Sequence, residues 1–168
     1  MDVLKKLEEK AFLGEDFLTW LWWRVEEEGA FHVPHPVTLW IEDRMVLASA
    51  ESTETLVKGD DTSKIPEAFA ALGRGKKLRA AHFGLIRDEW EFGFVLDARL
   101  DVTRLKLPKV LPPEDEDTWE GTALVRISLI EEIHRTVDAL FSEFLDARIG
   151  SDWPKTLKAM QQWIKVGP

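Results

Sequence analysis

Between Leu13 and Val25 the apolar residues recur at helical spacing on two neighbouring stripes. Leu18, Leu21, Trp22 and Val25 form one stripe, Leu13, Phe17 and Trp20 the next, and Trp23 points away from both. A surface helix needs a single apolar stripe, so this one is expected to be covered on more than one side. The cover has three possible sources: the rest of the domain, a second subunit, or a neighbouring domain. Helix is predicted as far as Gly29, with a break near Gly14 and an acidic turn at Glu15 and Asp16. Phe31 to Pro36 reads as an irregular connector, because each proline restricts the residue before it.

The period then changes to two. Val37, Leu39 and Ile41 alternate with Thr38, Trp40 and Glu42, a turn is expected at Asp43-Arg44, and Val46, Ala48 and Ala50 resume the apolar face. Thr53 to Lys58 offers a third strand, Gly59 to Ser63 a turn, and Pro66-Glu67 the start of a short helix stopped at Gly73. The next hairpin is the sharpest strand signal. Pairing Arg87 with Trp90 across Asp88-Glu89 sets Leu85 opposite Phe92, Phe83 opposite Phe94 and Ala81 opposite Leu96, all on one face. The reverse face then carries Ile86/Glu91, Gly84/Gly93, His82/Val95 and Ala80/Asp97.

Pro108, Pro112 and Pro113, followed by the acidic run Glu114 to Asp117, read as a stiff connector. From Trp119 to Ile149 helical spacing returns through Ala123, Ile127, Ile130, Val137, Leu140, Phe141 and Phe144, and Gly150 ends it. Ser151 to Pro154 opens a last helix with Leu157, Met160, Trp163 and Ile164 inward. The class is α+β: an antiparallel sheet built from two β-hairpins, flanked by an N-terminal aromatic-rich helix and two C-terminal helices. One domain spans 1–168, with 1–29 helical, 37–107 mostly strands with a short helix, and 117–166 helical.

At 168 residues, 45% hydrophobic and 32% charged, the chain has the composition of a globular domain with its own core. With Cys 0, disulfides, thiolate catalysis and Cys-ligated zinc are excluded. No run reaches transmembrane length, and the N-terminus lacks the apolar stretch of a signal peptide, so a cytoplasmic location and no membrane partner are expected. A net charge of −9 repels phosphate backbones at long range, so nucleic-acid binding requires cations gathered on one surface.

No nucleophile elbow, P-loop or dinucleotide-binding glycine pattern occurs, and no catalytic residue or cofactor is assigned. His32 and His35 have a ligand-like spacing but no completing set, and Glu131 and His134 form half of a dinuclear carboxylate pattern without its second copy. No metal is assigned to either. Asp88, Glu89 and Glu91 at a hairpin tip and Glu114 to Asp117 read as solvating charge rather than as acid–base pairs. Gly73 to Arg79 is the densest basic cluster; it reads equally as a phosphate contact, with Lys77 and Arg79 on one strand face, or as a solvated corner.

Three stretches in order carry a family resemblance: Leu56 to Ser63, Gly75 to Arg79 leading into the tryptophan-bearing hairpin, and Asp101 to Leu107 before the acidic linker and long helix. Phe12 to Trp22 adds to it. Together they resemble the C-terminal half of the recombination-associated RdgC family, nucleoid proteins that form a ring-shaped dimer around duplex DNA. The resemblance implies a non-enzymatic protein binding duplex phosphates without sequence preference. By position Lys58 and Lys76 match residues lining the family's ring, and Gly59 stands where the family tends to place a polar amide. The DNA-contacting set expected on this reading is Lys58, Arg74, Lys76, Lys77, Arg79, Arg104 and Lys106. The family's N-terminal part has no counterpart here. Phe17, Trp20, Trp22 and Trp23 are therefore expected to form an interface, in a homodimer or with a partner chain replacing that part. The alternative is a protein-interaction or dimerisation scaffold on the same fold that does not bind DNA, which the charge of −9 favours.

Overall fold

In the computed structural model, which describes residues 3–32, 34–50, 52–109 and 118–168, the N-terminal aromatic run folds as one helix, α1 (Val3–Glu27). No break occurs at Gly14. A Cβ there would fall 2.9 Å from Ala98 Cα and closer still to its carbonyl, so glycine is what lets α1 lie directly on the sheet.

Six strands form one antiparallel sheet: β1 (Ala30–Phe31), β2 (Val37–Ser49), β3 (Ser52–Lys58), β4 (Lys77–Arg87), β5 (Trp90–Asp97) and β6 (Val102–Lys106). The order is β1-β2-β4-β5-β6, with β3 beside β1 on the same edge of β2. A short 3-10 turn (Thr62–Lys64) and α2 (Pro66–Gly73) link β3 to β4, and α3 (Thr118–Ile149) and α4 (Trp153–Val166) follow the sheet. The connector 110–117, with its acidic run, lies outside the described residues.

The β4–β5 hairpin has the expected register at every pair, from Arg87↔Trp90 to Ala80↔Asp97. Asp88 turns the chain at φ 52°, a left-handed conformation that aspartate tolerates. The first hairpin differs. β2 continues through Asp43-Arg44, and the chain reverses after Ser49 instead. Polar residues 42–44 form a bulge: Ile41 pairs with Phe83 and Met45 with Ala81, leaving three residues opposite His82. A second bulge sits at Arg79, because Val46 pairs with Ala80 and Leu47 with Leu78. A third occupies Arg104-Leu105, where Arg104 has φ 50°.

The core lies between one face of the sheet and the helices. Phe17, Trp20 and Trp22 are at most 1% exposed. Their cover comes from the chain's own C-terminal helices: Phe17 meets Phe141 at 5.2 Å, Trp20 meets Phe144 at 5.6 Å and Trp22 meets Trp163 at 5.1 Å between ring centroids. Of the sources open to the sequence reading, the same domain is the one that holds. Met160 is buried as expected, whereas Leu157 stays 43% exposed.

Candidate binding surfaces

The three bulges decide where the cations go. At the second bulge Leu78 turns into the core, fully buried, and its N–H donates to Thr19 Oγ1 on α1 at 3.0 Å. Lys77 and Arg79 then meet carboxylates. Lys77 pairs with Asp16, which also holds Arg148 at 3.1 Å, and Arg79 is shared between Glu15 at 3.1 Å and Glu54 at 3.4 Å. Lys76 Nζ donates to the Thr53 carbonyl at 2.7 Å and to Thr55 Oγ1 at 2.8 Å. Lys76, Lys77 and Arg79 of the densest basic stretch are thus engaged within the chain, and a bulge at Arg79 interrupts the regular alternation between Lys77 and Arg79.

The remaining cations are dispersed. Arg74 is exposed at the C-terminal end of α2, where its N–H closes the helix. Arg104 is exposed in the β6 bulge. Lys58 and Lys106 lie on the face of the sheet away from the helices, but on opposite edge strands, four strand spacings or about 19 Å apart. Lys58 and Lys106 thus share a face without being neighbours, while Lys76, Lys77 and Arg79 have partners within the chain.

The residues expected at an interface lie in the core instead. Phe17, Trp20 and Trp22 present no surface to a partner, and Trp23 is partly buried against the same core. Among the described residues, exposed large apolar side chains are scattered at Leu56, Ile86, Ile149, Leu157 and Val166, and four gather on the N-terminal half of α3. Leu124, Val125, Ile127 and Ile130 are 66%, 40%, 52% and 37% exposed. From Gly121 to Ile130 the helix carries a single charged side chain, Arg126. Below this stretch Ile133, Val137, Leu140 and Phe144 enter the core, and Glu132 pairs with Arg87 of β4.

The helix-free face of the sheet holds the other notable group. Trp40 lies across Gly84, whose missing side chain leaves the space the indole occupies. Gly93, beside Gly84, is approached by Lys106 Cβ, 3.5 Å from where a Cβ would sit, and by Glu42 Oε1 at 3.8 Å. At the first bulge His82 Nδ1 lies 2.8 Å from Asp43 Oδ1, and Nε2 lies 3.3 Å from Glu42 Oε2. The His82 hydrogen bond holds the Asp43 carboxyl below its ordinary value, outweighing the opposing effect of burial, with smaller help from nearby positive charge. Glu42 also borders a cleft of about 480 Å³ between β5 and Leu107–Lys109, with Trp90, Glu91, Lys106 and Lys109 in its wall.

Sequence reading missed this cluster because it took Asp43-Arg44 for a turn. The available signal was the polar triplet Glu42-Asp43-Arg44 between two stretches of one alternating face. The histidines considered for metal stand apart: His32, His35 and His134 are exposed, and Glu131 pairs with Arg135 at 3.3 Å. No protein-family model, curated protein or solved structure compared with the chain matches it.

Proposed function

We propose that this chain is a non-enzymatic scaffold that associates with a second copy of itself through the N-terminal half of α3. The observation that carries the reading is the exposed set Leu124, Val125, Ile127 and Ile130. A helix apolar on this much of its circumference is stable in water when something covers it. Net charge opposes a like partner, since two bodies of −9 repel, but Gly121 to Ile130, with only Arg126 charged, is a place where two copies meet without opposed carboxylates. A two-fold contact would use the same patch on both copies.

Duplex-DNA binding, implied by the resemblance to the RdgC family, is the competing reading. Against it stand the carboxylate partners of Lys77 and Arg79 and the separation of Lys58 from Lys106. Sedimentation velocity on the full chain tests the proposal. A dimer is expected, with Leu124→Glu plus Ile127→Glu giving a folded monomer by circular dichroism. A wild-type monomer, or a dimer unaffected by the double change, overturns it. A parallel low-salt titration with duplex DNA is expected to show no retention. Retention abolished by Lys58→Glu plus Lys106→Glu would favour the DNA reading instead.

A further inference from the structure

The bulge at residues 42–44 turns two carboxylates of β2 onto one imidazole of β4. Its backbone is anchored from below. The fully buried Thr62 hydroxyl donates to the Glu42 carbonyl at 2.6 Å, and Gly59 N–H donates to the Asp43 carbonyl at 3.1 Å. The two carboxylates thus project from a fixed loop of strand, not from a free turn, and His82 meets them from the neighbouring strand.

Their roles differ. Asp43, an ionised carboxylate, only accepts hydrogen bonds, so the 2.8 Å contact places the ring proton on His82 Nδ1. Nε2 faces Glu42 Oε2 at 3.3 Å, and an ion held between the two would take the place of a proton donated from that nitrogen. Two ligands of one ion, each bonded at about 2.0–2.1 Å with near-tetrahedral geometry, lie roughly 3.3–3.4 Å apart. A carboxylate holding the far nitrogen of a ligating histidine is the usual outer support of such a site, fixing tautomer and ring orientation. Glu42 and His82 are each about one-third exposed or less, at 30% and 27%, which leaves room for water on the remaining positions.

We propose that this bulge binds a divalent first-row transition ion, with His82 Nε2 and the Glu42 carboxylate as ligands and Asp43 as the positioning residue. The imidazole selects zinc, cobalt or nickel over magnesium and calcium, which prefer oxygen throughout. Two protein ligands make an open site, and Glu42 connects it to the cleft beside Trp90 and Lys106. The inference does not depend on self-association.

The test is titration of the full chain with Co²⁺, read by visible absorption, and with Zn²⁺, read by calorimetry. One saturable site per chain is expected. His82→Ala should abolish it and Asp43→Asn should weaken it by roughly 10–100-fold, the usual effect of losing such a supporting carboxylate. His32→Ala plus His35→Ala should leave it unchanged. In the unaltered protein, Zn²⁺ should shift the Nε2 resonance of His82 while Nδ1 keeps its proton. Absence of saturable binding, binding that survives His82→Ala, or a Zn²⁺ response confined to another histidine would overturn the proposal.

Discussion

Replacing Thr19 by valine removes one oxygen atom and almost no volume, yet it should destabilise the fold. Thr19 is 7% exposed on α1, and its hydroxyl does two things: it donates to the Glu15 carbonyl at 2.8 Å and accepts from Leu78 N–H at 3.0 Å. The first bond duplicates what the helix supplies, so its loss costs little. The second satisfies a donor at the Arg79 bulge, on a residue with no exposed area. Leaving a buried N–H without an acceptor costs about 1–3 kcal/mol. For a chain of this length each kcal/mol lowers the melting temperature by about 2–4 °C. Thr19→Ser is the discriminating control. It keeps the hydroxyl and loses a methyl group worth about 0.8 kcal/mol. Hydrophobic transfer alone ranks valine above threonine and threonine above serine, whereas the hydrogen bond puts valine below threonine. Urea denaturation of the three proteins, with amide exchange at Leu78, measures the order. A valine variant as stable as the wild type, with Leu78 equally protected, would refute the assignment of Thr19 as the acceptor at the bulge.

Two other outcomes follow from the open face of the sheet. Gly84→Ala should cost about 1–3 kcal/mol by forcing Trp40 off the strand, while Gly73→Ala, which meets nothing within 4 Å, should be neutral or stabilise α2 by up to about 1 kcal/mol; denaturation midpoints compare the two. The depressed Asp43 carboxyl contributes stability above the ordinary carboxylate range and loses it as pH falls through its lowered midpoint, so a ¹³C carboxyl titration should place that midpoint below 3.8. His82→Ala should return it to the ordinary value, and an unmoved midpoint would show that the imidazole is not the cause.

Much of the fold was legible in the sequence because period and turn chemistry agreed there. Eight residue pairs of the β4–β5 hairpin follow from placing phenylalanines and leucines on one side of Asp88-Glu89. The helices followed from apolar spacing, and Pro66 and Gly73 marked the ends of α2. The failures share a cause. A bulge shifts the alternation without leaving a turn residue, so Glu42-Asp43-Arg44 looked like a reversal and Lys77 and Arg79 looked like neighbours on one face. Spacing also cannot say how far a core extends along a helix: Ile130 and Val137, seven apart, keep the same stripe, but only Val137 is buried in the core. The candidate site was hidden for the first reason and the exposed patch for the second.

The bulge at Arg79 also turns part of the chain's basic cluster onto its own carboxylates. Periodic strands send alternate side chains to opposite faces, so a stretch such as Lys76-Lys77-Leu78-Arg79 would expose at least one strong cation on the open face. The extra residue at Arg79 lets Leu78 join the core and directs Lys77 and Arg79 to Asp16 and Glu15 on α1. These pairs are partly exposed, so each contributes little to stability, about 1 kcal/mol or less. Their larger consequence is electrostatic: they confine the charge of both partners between helix and sheet. Disabling them should therefore affect surface potential more than folding. Glu15→Gln with Asp16→Asn would remove the α1 carboxylates from Lys77, Arg79 and Arg148 together while Glu54 stays on Arg79, and any affinity for duplex DNA that then appeared, rising steeply at low salt, would measure what the carboxylates of α1 suppress.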